Sequence, residues 1–120
     1  VWEAALYAAQ RKTDRLIALI DNNELQIDGK LAEICDVGRL SAKFEQFGWW
    51  TRDVQGHDIA ALLEAVHEAY TCSFAGPRVI VAHTVKGKGV SFMENSCAWH
   101  GKAANAEQCQ TALEELGVEQ

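Results

Sequence analysis

The sequence predicts an α/β fold, with a mostly parallel sheet that carries helices on both faces. Two short apolar runs, residues 16–20 and 79–82, are typical of strands buried inside a parallel sheet. They alternate with stretches of helical period, and such alternation implies crossover units around a parallel sheet. The chain has 120 residues, a length that fits one domain.

Helical period is the first signal along the chain. Three apolar side chains recur at helical spacing in the alanine-rich start, and they are Trp2, Leu6 and Ala9. Alanine also favours helix intrinsically, so we predict a helix from residue 2 to about residue 12. Residues 16–20 then predict a strand buried on both faces, which stops at the polar run 21–23.

Helix and strand alternate through the rest of the chain. Residues 40–47 predict a helix that ends at Gly48, and residues 49–54 predict the next strand. Asp58 is suited to cap a longer helix. The predicted apolar stripe of that helix comprises Ile59, Leu62, Leu63, Val66 and Tyr70. The buried strand 79–82 follows, and a loop leads to a last helix near residues 107–116.

Charge and composition argue against several classes of partner. Acidic residues outnumber basic ones by 17 to 11, whereas a nucleic-acid-binding protein needs a basic surface. No apolar run approaches the roughly 18–20 residues that span a bilayer. The four cysteines form no Cys-x-x-Cys pair, which favours idle thiols in a reducing cytoplasm.

Polar side chains follow the first predicted strand. Four residues of the segment IDNNELQIDG offer side-chain oxygens, namely Asp21, Asn22, Asn23 and Asp28. Ligands of open α/β sheets bind beyond the carboxyl ends of the strands, and magnesium prefers such oxygens and often shares them with phosphates. The same residues also suit a simple strand-ending turn. Spacing alone leaves both interpretations open.

A second candidate segment follows the later buried strand. Residues 84–89, TVKGKG, can present glycine amides and two ammonium groups to a phosphate. The segment matches neither the Walker pattern nor the dinucleotide fingerprint. A flexible, solvated loop is equally compatible with it.

Two histidines and a tryptophan pair complete the candidates. His57 lies just before a predicted helix, a position more typical of a structural residue than of a general base. His100 follows an irregular stretch, which favours a role facing a ligand, because histidine can donate to phosphate or exchange protons near neutral pH. Trp49 and Trp50 predict core packing rather than a cofactor site.

Four stretches together resemble transketolase in their order and spacing, from residue 1 to about residue 102. They are VWEAA, IDNNELQIDG, the pair FGWW and VQGHD, and HTVKGKGVSFMENSCAWHG. The resemblance implies the diphosphate-binding domain of a thiamine-diphosphate enzyme. Residues 1–120 are expected to form its C-terminal portion, with the family's Gly-Asp-Gly motif, which holds the divalent ion jointly with the asparagine motif, upstream.

The resemblance also assigns site residues. Asn23 matches the family asparagine whose amide oxygen binds Mg²⁺ or Ca²⁺, and Leu25 matches the residue whose backbone carbonyl binds the same ion. Ile27 and Lys86 are assigned to the cofactor site. Lys86 departs from the apolar residue that single-chain transketolases often have there. His100 matches the histidine near the diphosphate and the sugar, where substrate contact or proton transfer is implied.

The activity implied is transfer of a two-carbon ketol unit from a ketose phosphate to an aldose phosphate. The pyrimidine-binding domain is expected on a separate, C-terminal subunit, so the resemblance implies a dimer or an α2β2 assembly in the cytoplasm. Two alternatives stay open. Lys86-Gly87-Lys88-Gly89 also resembles deoxyxylulose-phosphate synthases, and the fold can serve as a non-catalytic interaction module.

Overall fold

The computed structural model describes residues 1–118. Its helices and strands, in chain order, are α1 (Trp2–Gln10), β1 (Ile17–Asn22), β2 (Leu25–Gln26), β3 (Gly29–Lys30), α2 (Leu31–Ile34), α3 (Leu40–Gln46), β4 (Trp50–Gln55), α4 (Ile59–Thr71), β5 (Arg78–His83) and α5 (Ala106–Glu115). The chain divides into two compact units. The first comprises Val1–Asn22 and Val37–Thr84, and the second comprises Asn23–Asp36 and the residues from Val85 onwards.

The first unit is built on a parallel sheet of three strands in the order β1-β5-β4. The central strand β5 pairs with both neighbours, so that Ile80 lies opposite Leu19 on one side and Arg52 on the other. All residues of β5 are buried except His83. The predicted buried strand at residues 79–82 is confirmed, and so is the α/β class with a mostly parallel sheet.

Helices cover both faces of this sheet because successive residues of β5 point to opposite sides. On one face, Val79 and Val81 pack against residues that include Ala5 of α1 and Phe44 of α3. On the other face, Ile80 and Ala82 pack against Ala65 and Ala69 of α4 together with Val54 of β4. The prediction of helices on both faces is therefore confirmed.

Trp49 joins α1 to the core. Its side chain is buried, and the indole Nε1 donates a hydrogen bond of 2.9 Å to the backbone oxygen of Ala5. The ring centroid lies 5.1 Å from that of Phe44. Trp50 packs against the cluster on the opposite face. Both tryptophans are thus core residues, as predicted.

The prediction that the first strand is buried on both faces is wrong. β1 pairs only with β5 among the described strands, and Leu19 is 62% exposed. The strand also continues to Asn22 instead of ending at residue 20. The strand is two residues longer than predicted because Asp21 and Asn22 pair with Ala82 and His83 of β5.

The predicted stripe of α4 is only partly correct. Asp58 caps the helix as predicted, since its carboxylate accepts a hydrogen bond of 3.0 Å from the Ala61 amide. The buried positions, however, are Ala65 and Ala69. Three residues of the predicted stripe are mostly exposed instead, namely Ile59, Leu63 and Tyr70. The helix packs through Ala65 and Ala69 together with the half-buried Leu62 and Val66 of the predicted stripe.

Arg78 shapes the turn that leads into β5. The side chain is buried, and its guanidinium donates to the backbone oxygens of Gly76, Phe74 and Cys72 at 3.0, 2.8 and 3.3 Å. It also donates to the backbone oxygen of Asp14. These bonds satisfy backbone carbonyls of the segment between α4 and β5, residues 72–76, and of the turn before β1.

The second unit contains little regular structure. β2 and β3 form a short antiparallel hairpin, and α2 follows it. A long loop leads to α5, which begins with a capping box between Asn105 and Gln108. Among residues 1–118, no helix is both long and apolar enough to cross a bilayer.

We predict that Ile80→Ala lowers the free energy of unfolding by about 2–5 kcal/mol, because it opens a cavity in a fully buried strand. Leu19→Ala is the matched control on the neighbouring strand and should cost about 0.5 kcal/mol or less. Urea unfolding of both variants measures the difference. Equal losses would show that β5 is not the core strand.

Candidate functional site

A small cavity in the second unit contains all five residues that were assigned from the resemblance. Its volume is about 160 Å³, and its lining residues are Asn23, Leu25, Gln26, Ile27, Lys86, Cys97 and His100. Along the chain these residues follow the carboxyl ends of β1 and β5. Ligand pockets usually measure about 300–1,000 Å³, so this cavity fits only part of a cofactor-sized molecule.

A tight turn presents Asn23 and Leu25 to this cavity. The amide oxygen of Asn23 accepts a hydrogen bond of 3.0 Å from the Leu25 backbone nitrogen. Glu24 between them has a left-handed φ of 59°, and its oxygen accepts from the Leu31 amide at 2.9 Å. Such a conformation is uncommon outside glycine and often marks functional turns. The Asn23 oxygen keeps a second lone pair for a ligand.

The loop that contains Lys86 is closed by its own backbone. The Asn95 amide donates to the Lys86 oxygen at 3.0 Å, and the Val90 amide donates to the Gly87 oxygen at 3.1 Å. Gly87 has a φ of 73°, and a Cβ there would lie 2.6 Å from the backbone oxygen of Met93. Only glycine fits this position. The glycine pattern around Lys86 therefore gives a defined loop.

His100 lies at the end of a short 3₁₀ turn, Cys97–Trp99. Its backbone amide donates to the Cys97 oxygen at 3.0 Å, and its side chain is exposed. The Cys97 thiol contacts the backbone oxygen of Gln26 at 3.7 Å and so joins this turn to the β2–β3 hairpin. Sequence reasoning missed Gln26 and Cys97, because a contact across 71 residues leaves no local pattern.

Other candidates are not part of this cavity. Asp21 accepts a hydrogen bond from the Thr84 hydroxyl, and the Asn22 amide lies 3.4 Å from Nδ1 of His83. Both side chains therefore join neighbouring strands. Asp28 and His57 are exposed and do not line the cavity. Of the four oxygen-bearing residues proposed in IDNNELQIDG, only Asn23 lines it.

Hydrogen bonds also anchor the loop that contains Lys86 and Ser91 to α5. Glu115 accepts hydrogen bonds from the Ser91 hydroxyl and the Ser91 amide, both at 2.6 Å. These bonds, the hydroxyl bond first, lower the pKa of Glu115 from its ordinary value of 4.5 because they favour the carboxylate. Ser91 and Glu115 are both exposed, so the hydrogen bonds between them are accessible to solvent.

The lining residues suit a metal-bound diphosphate. Asn23 and Leu25 carry neutral oxygen donors of the kind that magnesium prefers. Lys86 supplies an ammonium group and His100 an imidazole, and both can donate to phosphate oxygens. Within residues 1–118 no group of three or more His, Cys, Asp or Glu side chains is arranged to hold a metal.

The whole chain, residues 1–120, matches the family model described as "Transketolase, thiamine diphosphate binding domain". The chain belongs to the transketolase family, in its thiamine-diphosphate-binding domain. The fold agrees with this membership. The crystal structure of transketolase from Campylobacter jejuni superposes with a TM-score of 0.88 at 28% identity, over 97% of this chain and 18% of that one.

Two of the curated relatives within the family are named as subunits of transketolases. The 6-deoxy-6-sulfo-D-fructose transketolase subunit of Clostridium sp. (strain MSTE9) is 38% identical over 119 residues, 99% of this chain and 43% of that protein. An apulose-4-phosphate transketolase subunit of Actinobacillus succinogenes is 39% identical over 115 residues, 96% of this chain and 41% of that protein. The chain thus spans about two fifths of their length.

We predict that Glu115→Gln loosens the loop at neutral pH. The pKa of Glu115 is lowered in the folded state, so its stabilising effect is present above 4.5 and is lost as pH falls through the lower folded value. Hydrogen exchange at the Ser91 amide should therefore be faster in the variant at pH 7, and the difference should vanish well below pH 4.5.

Glu114→Gln is the matched control, because Glu114 accepts from Gln110 and not from the loop. It should leave exchange at Ser91 unchanged. Equal exchange rates at the Ser91 amide in wild type and Glu115→Gln at pH 7 would show that Glu115 does not anchor the loop.

Proposed function

We propose that this domain holds the diphosphate end of thiamine diphosphate in a transketolase that transfers a two-carbon ketol unit from a ketose phosphate to an aldose phosphate. The observation that carries the proposal is the single cavity that unites Asn23, Leu25, Ile27, Lys86 and His100. Family membership supports the cofactor. Residues 1–120 would be the C-terminal portion of the diphosphate-binding domain.

Each residue has a chemical role in this proposal. The amide oxygen of Asn23 and the backbone oxygen of Leu25 would hold Mg²⁺ or Ca²⁺, whose charge would stabilise the diphosphate. Lys86 donates to the diphosphate, and Ile27 provides apolar contact to the cofactor. His100 is the catalytic candidate, because an exposed imidazole in this cavity can bond the sugar or move a proton.

The cofactor supplies the carbon chemistry, and the chain supplies position and electrostatics. The pyrimidine end would be bound by a separate C-terminal subunit, in a dimer or an α2β2 complex in the cytoplasm. The subunit names of the relatives support such a partner. Those two relatives are almost equally similar to this chain and are named for different sugars. Overall identity therefore does not choose the sugar.

A deoxyxylulose-phosphate synthase activity is the second candidate. The Lys86-Gly87-Lys88-Gly89 loop favours it, whereas the Trp99-His100-Gly101 region favours transketolase. We expect the assembled enzyme to convert xylulose phosphate and ribose phosphate. Formation of a product from pyruvate and glyceraldehyde phosphate instead would establish the second candidate.

We predict that Asn23→Ala weakens magnesium-dependent binding of thiamine diphosphate at least about tenfold, because it removes a metal ligand. Calorimetric titration of the assembled full-length subunits measures this affinity. Asn22→Ala is the matched control, since the neighbouring amide is directed to His83. Unchanged affinity in Asn23→Ala would refute the metal assignment. No binding by the folded wild-type complex would favour the interaction module.

His100→Ala should chiefly lower turnover or sugar affinity. Steady-state kinetics with xylulose phosphate and ribose phosphate separate the two effects, since a change in kcat alone indicates a role in the transition state. His57→Ala is the control, because His57 lies outside the cavity. Wild-type kinetics in His100→Ala would remove His100 from the mechanism.

A further inference from the structure

We propose that Trp99 is a positioning residue that fixes the direction of His100, through contacts of its indole ring with Phe92 and Lys102. The proposal rests on the proposed function, because it concerns the histidine of the same cavity. It adds a reason why this histidine has a defined direction at all.

The backbone at His100 gives little rigidity by itself. His100 ends a 3₁₀ turn of only three residues, and one hydrogen bond of 3.0 Å joins its amide to Cys97. Gly101 follows, and a Cβ at Gly101 would have no neighbour within 4 Å. Glycine in open space has wide conformational freedom. Any restraint on the position of His100 must therefore come largely from side-chain contacts.

The first restraint acts before His100. The indole Nε1 of Trp99 donates a hydrogen bond of 2.9 Å to the backbone oxygen of Phe92. The two ring centroids lie 5.3 Å apart, with an angle of 55° between the ring planes. A ring contact and a hydrogen bond between the same two residues fix both the distance and the rotation of the turn.

The second restraint acts after His100. The ammonium group of Lys102 lies over the Trp99 ring, 4.8 Å from its centroid, a distance at which a cation is attracted by the aromatic face. The Trp99 ring therefore contacts Phe92 before the His100-Gly101 pair and Lys102 after it. Two anchors limit the excursions of the two residues between them.

Trp99 is not needed for the sheet cores. It belongs to neither core cluster of the first unit, and its side chain is only partly buried. Its indole nitrogen bonds within the loop, seven residues away. Its hydrogen bond, its ring contact and its cation contact all lie within the loop beside His100, which fits a positioning role better than a role in the sheet cores.

Replacing Trp99 should therefore lower the rate of catalysis and change cofactor affinity little. Trp99→Leu removes the ring contact, the indole hydrogen bond and the cation contact together. A displacement of about 1 Å at a reacting group can cost up to about 100-fold in rate. We expect kcat for ketol transfer to fall about 10- to 100-fold, with unchanged affinity for thiamine diphosphate. Trp99→Phe keeps a ring and should recover most of the loss.

The experiment uses the full-length protein in complex with its partner. Three measurements are made on wild type, Trp99→Leu and Trp99→Phe: cofactor titration with magnesium, steady-state kcat and KM, and the NMR signals of the His100 imidazole in the cofactor-free protein. Trp50→Leu is the control, because it removes a tryptophan that packs against a sheet core. It should lower stability and leave the His100 signals unchanged.

One sharp set of His100 signals in wild type and Trp99→Phe, with broad or multiple signals in Trp99→Leu, supports the proposal. Unchanged signals and unchanged kcat in Trp99→Leu would overturn it. If Trp99→Leu does not fold, Phe92→Leu and Lys102→Met each remove one contact. Wild-type His100 signals in the double variant, which lacks both the ring contact and the cation contact, would equally overturn it. Failure of the wild type to bind the cofactor would sink the proposed function alone, since the NMR signals report on Trp99 without it.

Discussion

The first unit depends on the burial of β5 on both of its faces. Alternate residues of this strand enter two separate clusters, so one six-residue strand holds α1 and α3 on one side and α4 on the other. Each fully buried aliphatic side chain contributes about 1.5–3 kcal/mol. Because all three strands run parallel, they end at the same edge, at Asn22, Gln55 and His83. The polar segments after β1 and β5 then carry the candidate site residues.

Local signals predicted the elements well where one pattern dominates. Asp58 and Gly48 were identified as helix ends because capping and left-handed geometry select few residue types. The burial of α4 was mispredicted because the helix has two competing stripes. Ile59 and Leu63 form one, and Ala65 and Ala69 form the other. Hydrophobicity favours the larger residues, whereas the face that packs on the sheet combines the alanines with Leu62 and Val66.

The site was predicted by resemblance rather than by pattern. IDNNELQIDG allowed both a turn and a metal site, and the structure contains the turn, which brings Asn23 and Leu25 to one cavity. The two interpretations are compatible, since the turn orients the oxygens that a metal would use. Cys97 and Glu115 could not be foreseen. Cys97 contacts a residue 71 positions away and Glu115 contacts one 24 positions away. Contacts between residues so far apart in the sequence leave no periodic pattern.

The assigned metal ligands have a further consequence for binding. The oxygens of Asn23 and Leu25 carry no net charge, so they compensate a divalent cation less than carboxylates would. The phosphate oxygens of the diphosphate would supply much of that charge, together with the aspartate of the Gly-Asp-Gly motif that is expected upstream. Metal and diphosphate should then raise each other's affinity by the same factor, because coupling between two ligands is reciprocal. A metal site built from these oxygens would favour the metal-bound diphosphate over either part alone, and the turn at Glu24, with its φ of 59°, lies between the two residues that line the cavity.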